Sequence, residues 1–406
     1  MSHALPPLRS GHSLRLLQGS GEFFPALVAS IDAALHEVRL ETYIFDFQGQ
    51  SAEVGYALER AARRGVGVMV VVDGYGTAPL PPSWAERFLE AGVEWRIYRP
   101  LGRFGVFARG NWRRLHRKLC VVDRHEAYCG GINILDDFHD LGEIVLPAPR
   151  LDFSVRVTGP LVADVHASME RMWLRMRAVR QLHAAHLAGA LHSLREAAHE
   201  GQGGHLRAPV SERPRSRAAL VLRDNLGNRA RIERAYRRAI GRARTEIVIA
   251  NAYFVPGRRL RNALVSAARR GVKVRLLVEG MYESFMQYYA SRPIYGTLLA
   301  AGVEIHEYAP SFLHAKVAVI DRRWATVGSS NLDPLSLLLA REANVMMEDG
   351  PFAAILHRRL MQAIDEDGKA LDAREYARRP VHTRVLERIA LVLMRIALFV
   401  QGKKYL

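Results

Sequence analysis

The sequence predicts an α/β protein of two pseudo-symmetric lobes, each a mixed sheet flanked by helices, with its functional site at the lobe interface. Three observations predict this. A strand-like motif occurs twice: His116-x-Lys118-x4-Asp123 returns 198 residues later as His314-x-Lys316-x4-Asp321. Each copy is followed by a small-residue turn and an asparagine, Gly130-Gly131-Ile132-Asn133 and Gly328-Ser329-Ser330-Asn331. The flanks repeat as well, because Ala61-Ala62-Arg63-Arg64-Gly65-Val66 is echoed by Ala267-Ala268-Arg269-Arg270-Gly271-Val272, and Ala91-Gly92-Val93-Glu94 by Ala301-Gly302-Val303-Glu304.

The elements run in the same order in both halves. An extended segment (38–45 or 247–254) precedes an amphipathic helix that ends at Arg-Gly, where glycine accepts the left-handed backbone that closes a helix. A nearly all-apolar strand follows (68–72 or 274–278), as expected for a sheet covered on both faces. Next come a second helix, a short strand opened by Gly-Val-Glu, and the His-Lys strand. Residues 1–177 are therefore expected to form the first lobe and 218–370 the second. Residues 178–217 interrupt the pattern: 178–199 reads as helix, and Gly201–Gly204 with Pro209, Arg213, Pro214 and Arg215 as a basic linker. His183, His186, His192 and His199 share that helix, but no cysteine or carboxylate cluster completes a ligand set, so no metal is expected.

Composition sets the partner class. The chain has 406 residues, 49% of them apolar, enough for a full core. Lys and Arg number 58 against 41 Asp and Glu, a net charge of +17. Such an excess implies an anionic partner surface, either nucleic acid or acidic lipid. The two cysteines, Cys120 and Cys129, both lie in the first motif region and read as small buried hydrophobes in a reducing compartment. The N-terminal residues lack a signal-peptide pattern, and no apolar run reaches the roughly 18–20 residues of a spanning helix. In the last segment, 371–406, the apolar stretch 389–400 is broken by Arg395 and flanked by Arg384, Arg388, Lys403 and Lys404. It reads as a membrane-surface helix with basic anchors, or as a helix docked on the core or on another subunit.

The motif carries the chemistry. Side chains alternate along a strand, so His and Lys share one face while the Asp falls on the other, at the strand end. Two such strands brought together place two imidazoles and two ammonium groups around one anion, as a phosphodiester requires. One histidine attacks phosphorus in line and the other protonates the leaving alkoxide, then deprotonates the incoming acceptor. Lys118 and Lys316 are expected to hold the non-bridging oxygens, with Asn133, Asn331, Ser329 and Ser330 as further donors and no metal or other cofactor. Asp123 and Asp321 complete the catalytic signature His116, Lys118, Asp123, His314, Lys316, Asp321, but their orientation suits bonding of turn amides. Each histidine needs a carboxylate to fix its tautomer. The stretch after each motif supplies one, Asp152 after the first and Glu342 after the second, with Glu143 the runner-up for the first lobe.

At these residues the chain resembles the phospholipase D superfamily, and within it the bacterial cardiolipin synthases without spanning helices. The resemblance covers roughly residues 10–365 and rests also on Glu41-Thr42-Tyr43-Ile44-Phe45, on Asp152–Pro160 and on Gly328–Ser336. It implies a phosphatidyltransferase using phosphatidylglycerol as donor and acceptor, passing through a phosphohistidine on His116 with His314 as acid and then base. It also implies a peripheral place on the cytoplasmic face of the cell membrane, with anionic phospholipid as partner and no nucleic acid. Leu335-Ser336 and Ala340-Arg341 depart from the common pattern of that family, which bears on donor and acceptor choice. A hydrolase of phospholipids and a nuclease of the same superfamily are the alternatives the motif allows.

Overall fold

Both halves are built from strands too apolar to face water and helices amphipathic enough to cover them. In the computed structural model the described residues are 4–101, 113–140, 144–183, 192–193, 195–196, 216–223, 228, 230–281, 285–333 and 340–400. Glu143, His186, His199, the linker residues Gly201–Arg215, Leu335, Ser336, Lys403 and Lys404 lie outside them.

The first half runs β1 (Arg9–Gln18), α1 (Gly19–Asp32), β2 (Glu37–Thr42), α2 (Ser51–Arg63), β3 (Gly67–Asp73), α3 (Pro82–Ala91), β4 (Glu94–Tyr98), β5 (Arg114–Leu115), β6 (Lys118–Val122) and β7 (Glu126–Gly130). A small hairpin, β8 (His139–Asp140) and β9 (Ile144–Val145), then leads to β10 (Phe153–Thr158) and α4 (Leu161–His183). The second half runs β11 (Ser216–Arg223), α5 (Arg231–Arg242), β12 (Glu246–Asn251), α6 (Arg258–Arg269), β13 (Lys273–Glu279), α7 (Phe285–Leu299), β14 (Glu304–Tyr308), β15 (Lys316–Ile320), β16 (Trp324–Gly328), β17 (Ala340–Glu348) and α8 (Gly350–Asp367). It closes with β18 (Gly368–Ala370), α9 (Ala373–Ala377) and α10 (Val381–Val400). The glycines after α2 and α6 do what the repeat implied: Gly65 and Gly271 take φ of 89° and 86°, the left-handed backbone that ends a helix.

Each half forms a mixed sheet. β2, β3 and β4 pair in parallel, as do β12, β13 and β14, while β6 and β15 join antiparallel to β2 and β12. The halves also meet edge to edge, because β1 pairs antiparallel with β11, and among the described residues a sixteen-strand sheet runs through both. The sheet folds back so that β7 comes against β16 and β17. One apolar core therefore takes residues from both halves, among them Leu119, Val121 and Phe153 with Val317, Val345 and Met347, capped by Met169 of α4 and Leu356 of α8. Separate cores lie under the outer helices of each half.

Candidate active site at the lobe interface

The motif strands are fixed at both ends. At the far end, the carboxylate of Asp123 accepts from the backbone N–H groups of Leu35, His36 and Glu37, and Asp321 accepts from those of Arg244, Thr245 and Glu246. Asp123 and Arg124, like Asp321 and Arg322, take left-handed φ near 50°, as a tight hairpin turn demands. Aspartate tolerates that backbone and binds the neighbouring amides at the same time. These two residues thus serve the turns, at the opposite end of the strands from the histidines, and do not stand with the catalytic set in which the signature counts them.

At the near end, the residue before each histidine is tied by an acid from the middle strand. The backbone N–H of Leu115 donates to Asp73 and that of Leu313 to Glu279, each at 2.7 Å. Asp73 also accepts from Tyr75 and Glu279 from Met281. Sequence reasoning missed both, although Asp73-Gly74 and Glu279-Gly280 close equivalent strands of the repeat. Between the two motif residues of the first half, Arg117 points the other way into a buried pair with Glu41 (Nη2–Oε1 2.8 Å) and bonds Ser168 Oγ at 2.6 Å.

Each histidine takes the carboxylate that follows the other motif, not its own. His116 Nδ1 lies 3.0 and 3.1 Å from the oxygens of Glu342, and His314 Nδ1 lies 2.6 Å from Asp152 Oδ2. The backbone enforces the crossing. His116 N donates to Arg341 O at 3.0 Å, and His314 N to Leu151 O at 2.9 Å. Strand β5 pairs with Ala340 and Arg341 of β17, and Leu151 bridges Leu313. The residue before each histidine therefore lies beside the residue before the opposite carboxylate. With Nδ1 of each ring engaged by a carboxyl group, Nε2 is left as the reactive nitrogen.

The two dyads are built unequally. Ser329 Oγ donates to Glu342, and buried Arg223 stands 3.7 Å from the same carboxylate. In the first half Gly131 occupies the place of Ser329, and a Cβ there would meet Asp152 Oδ1 at 2.2 Å. The aspartate thus fills the space a side chain would need. Burial pushes Asp152 up to about 7, against the pull of Lys316 and Lys118. Burial acts on Glu342 in the same sense, but the His116 interaction, Arg223 and Lys118 together hold it below the usual carboxylate range.

Desolvation lowers both imidazoles, His314 well below its ordinary value, with Lys316, Lys118 and His116 adding repulsion. Burial and the neighbouring Lys316 bring Lys118 down to about 7. Each lysine is folded onto its own motif: Lys118 Nζ donates to His116 O at 2.8 Å, and Lys316 Nζ to His314 O. Tyr43 packs its ring 4.9 Å from that of His116 and 5.3 Å from Lys118 Nζ. Of the other expected donors, Asn133 Oδ1 accepts from Ile44 N, Ser330 Oγ lies 3.3 Å from Arg223, and buried Asn331 keeps a side-chain oxygen without a hydrogen-bond partner. Among the described residues no group of three metal-ligating side chains occurs.

The fold has relatives among solved structures. It superimposes on phosphatidylserine synthase of Haemophilus influenzae Rd KW20 with a TM-score of 0.68 at 13% identity, covering 100% of this chain and 98% of that one. Polyphosphate kinase of Porphyromonas gingivalis gives 0.56 at 14% identity, covering 93% and 52%. The duplicated fold with paired motifs at its centre defines an enzyme of the phospholipase D superfamily. Residues 27–141 and 236–364 match the family described as cardiolipin synthase, PLD-like domain, and the chain belongs to that family. It is 37% identical over 365 residues to cardiolipin synthase B of Salmonella typhi, covering 90% of this chain and 83% of that protein. It is 36% identical over 366 residues to cardiolipin synthase B of Escherichia coli K12, with the same coverage.

Proposed function

We propose that the protein is a cardiolipin synthase that moves a phosphatidyl group from one phosphatidylglycerol to a second, releasing glycerol, through a phosphohistidine. The observation that carries this reading is the meeting of two histidine–carboxylate dyads and two buried lysines at one interface. In this reading residues 1–177 and 218–370 are the two lobes and 178–217 joins them. His116 Nε2 attacks phosphorus while His314, through the proton its pair with Asp152 holds, delivers an Nε2 proton to the departing glycerol oxygen. Ionised Glu342 suits the first role, because it offsets the positive charge that grows on His116 as the bond forms. Asp152, with its raised pKa, suits a partner that shares a proton with His314 rather than holding a fixed charge. Lys118 and Lys316 leave their carbonyl partners to take the non-bridging oxygens, and Asn133 and Asn331 add donors. Ser329 acts on Glu342 and reaches the phosphate only through that carboxylate, with Ser330 behind it against Arg223. In the second half-reaction His314 removes the proton of the incoming lipid hydroxyl. In this reading the protein works as a peripheral enzyme on the cytoplasmic face of the membrane that holds its lipid substrate.

The test is incubation of purified protein with labelled phosphatidylglycerol followed by lipid chromatography. Cardiolipin and glycerol are expected. Phosphatidic acid as sole product would make the protein a hydrolase, and unchanged lipid would remove the reading. His116→Ala and His314→Ala are each expected to abolish turnover, and substantial activity in either would contradict the divided roles.

A further inference from the structure

The last helix, α10, is amphipathic in an unusual sense: it turns apolar side chains both inward and outward. Its inward side packs on α7, with Ala390 and Leu391 buried. Glu387 is buried there too, paired with Arg379, and Tyr376 just ahead of the helix donates to Arg292 O of α7 at 2.7 Å. The helix is thus held in place. Its outward side carries Val381, Val385, Leu386, Ile389, Val392 and Leu393, exposed by between 36% and 73%. At 3.6 residues per turn these fall on one arc, and Arg384 and Arg388, also exposed, border it. Glu387, the one acid between Val381 and Leu393, faces away from that arc.

We propose that this arc is the surface by which the protein docks on an anionic lipid bilayer, lying in the interface with its apolar residues among the upper acyl carbons and its arginines at the headgroups. The proposal rests on the phosphatidyl substrate argued above and names the element that brings the site to it. Charge favours a bilayer over a second copy: the arc is bordered by cations, lacks an acid, and belongs to a chain of net charge +17, so another copy brings like charge while anionic lipid brings the opposite. No described helix is long and apolar enough to cross a membrane, so α10 lies on the bilayer and does not span it. Its position suits the chemistry. α7, on which it rests, starts six residues after Glu279, the acid that ties the strand carrying His314.

The experiment sediments the full-length protein with vesicles of phosphatidylglycerol mixed into phosphatidylcholine, and with phosphatidylcholine alone. A triple variant (Val385→Glu, Ile389→Glu, Leu393→Glu) and a double variant (Arg384→Glu, Arg388→Glu) are compared with the parent. Melting temperature, molecular size and turnover of a short-chain, monomerically dispersed phosphatidylglycerol are read alongside. The expected result is a loss of about tenfold or more in binding to the anionic vesicles in each variant, with melting, size and soluble turnover unchanged. Vesicle binding equal to the parent's in both variants overturns the proposal, as does a variant whose change is a smaller assembly with lipid binding intact. If the triple variant misfolds, the double variant decides. Failure of the function itself is seen separately, as absent turnover of the dispersed lipid by the parent.

Discussion

At the scale of single residues, two chemically similar dyads are tuned apart by what lies behind each carboxylate. Glu342 has a hydroxyl from Ser329 and a guanidinium from Arg223, while Asp152 has the bare backbone of Gly131 at its side and the backbone N–H of Phe153. Buried carboxylates without such partners drift toward the neutral form, as Asp152 does. The crossing of the dyads is testable apart from activity. Glu342→Gln and Asp152→Asn are each expected to lower kcat by about 10²- to 10⁴-fold. The downfield Nδ1 proton resonance of His116 should vanish in Glu342→Gln and persist in Asp152→Asn, with the opposite outcome for His314. A His116 signal that follows Asp152 would mean that each lobe supplies its own carboxylate after all.

At the scale of elements, the hairpin that ends each motif strand explains an aspartate that chemistry alone would assign to the site. Three backbone amides converge on Asp123 and three on Asp321, joined there by the hydroxyl of Thr245, and these bonds depress both carboxyls against the effect of burial. Asp321→Ala is expected to cost about 2–4 kcal/mol of stability, since several charge-assisted bonds go at once. The kcat of the folded fraction should change by less than about twofold. Denaturant melts with kinetics on the same samples check this, and a large kcat loss without loss of stability would return the aspartate to the chemistry. The turn role was legible beforehand, because strand alternation puts His116 and Asp123 on opposite faces. The partner of each histidine was not. Asp152 and Glu342 occupy matching places in the repeat, and what pairs them is the lateral contact of β5 with β17 and of Leu151 with Leu313. Such contacts between strands far apart in the chain leave no local pattern. Asp73 and Glu279 were hidden differently, since an acid before a glycine at a strand end is also an ordinary loop signal.

At the scale of the whole molecule, the continuous sheet and shared core hold two buried lysines together at the centre of the site. Their proximity shows in Lys118, brought down to about 7 by burial and by Lys316. Asp152 sits at about 7 for the opposite reason. The pH dependence of anion binding follows from both. Below about 7, Lys118 is an ammonium and Asp152 is neutral, so an incoming anion meets an attractive site and takes up no proton at either group. Above it, Lys118 loses its charge and Asp152 gains one, so the anion binds only by pulling protons back. Sulfate keeps its charge across this range and is the suitable probe. Its affinity should fall by about tenfold per pH unit or more between pH 7 and 9, the slope for uptake of one proton or two. In Lys118→Arg the guanidinium stays charged, so the slope should decrease by about one proton per anion while Asp152 keeps the remainder. Titration calorimetry in buffers of different ionisation enthalpy measures that proton uptake directly. Sulfate affinity that stays flat from pH 7 to 9 in the parent protein would show that Lys118 keeps its charge across that range or is not among the groups that receive the anion.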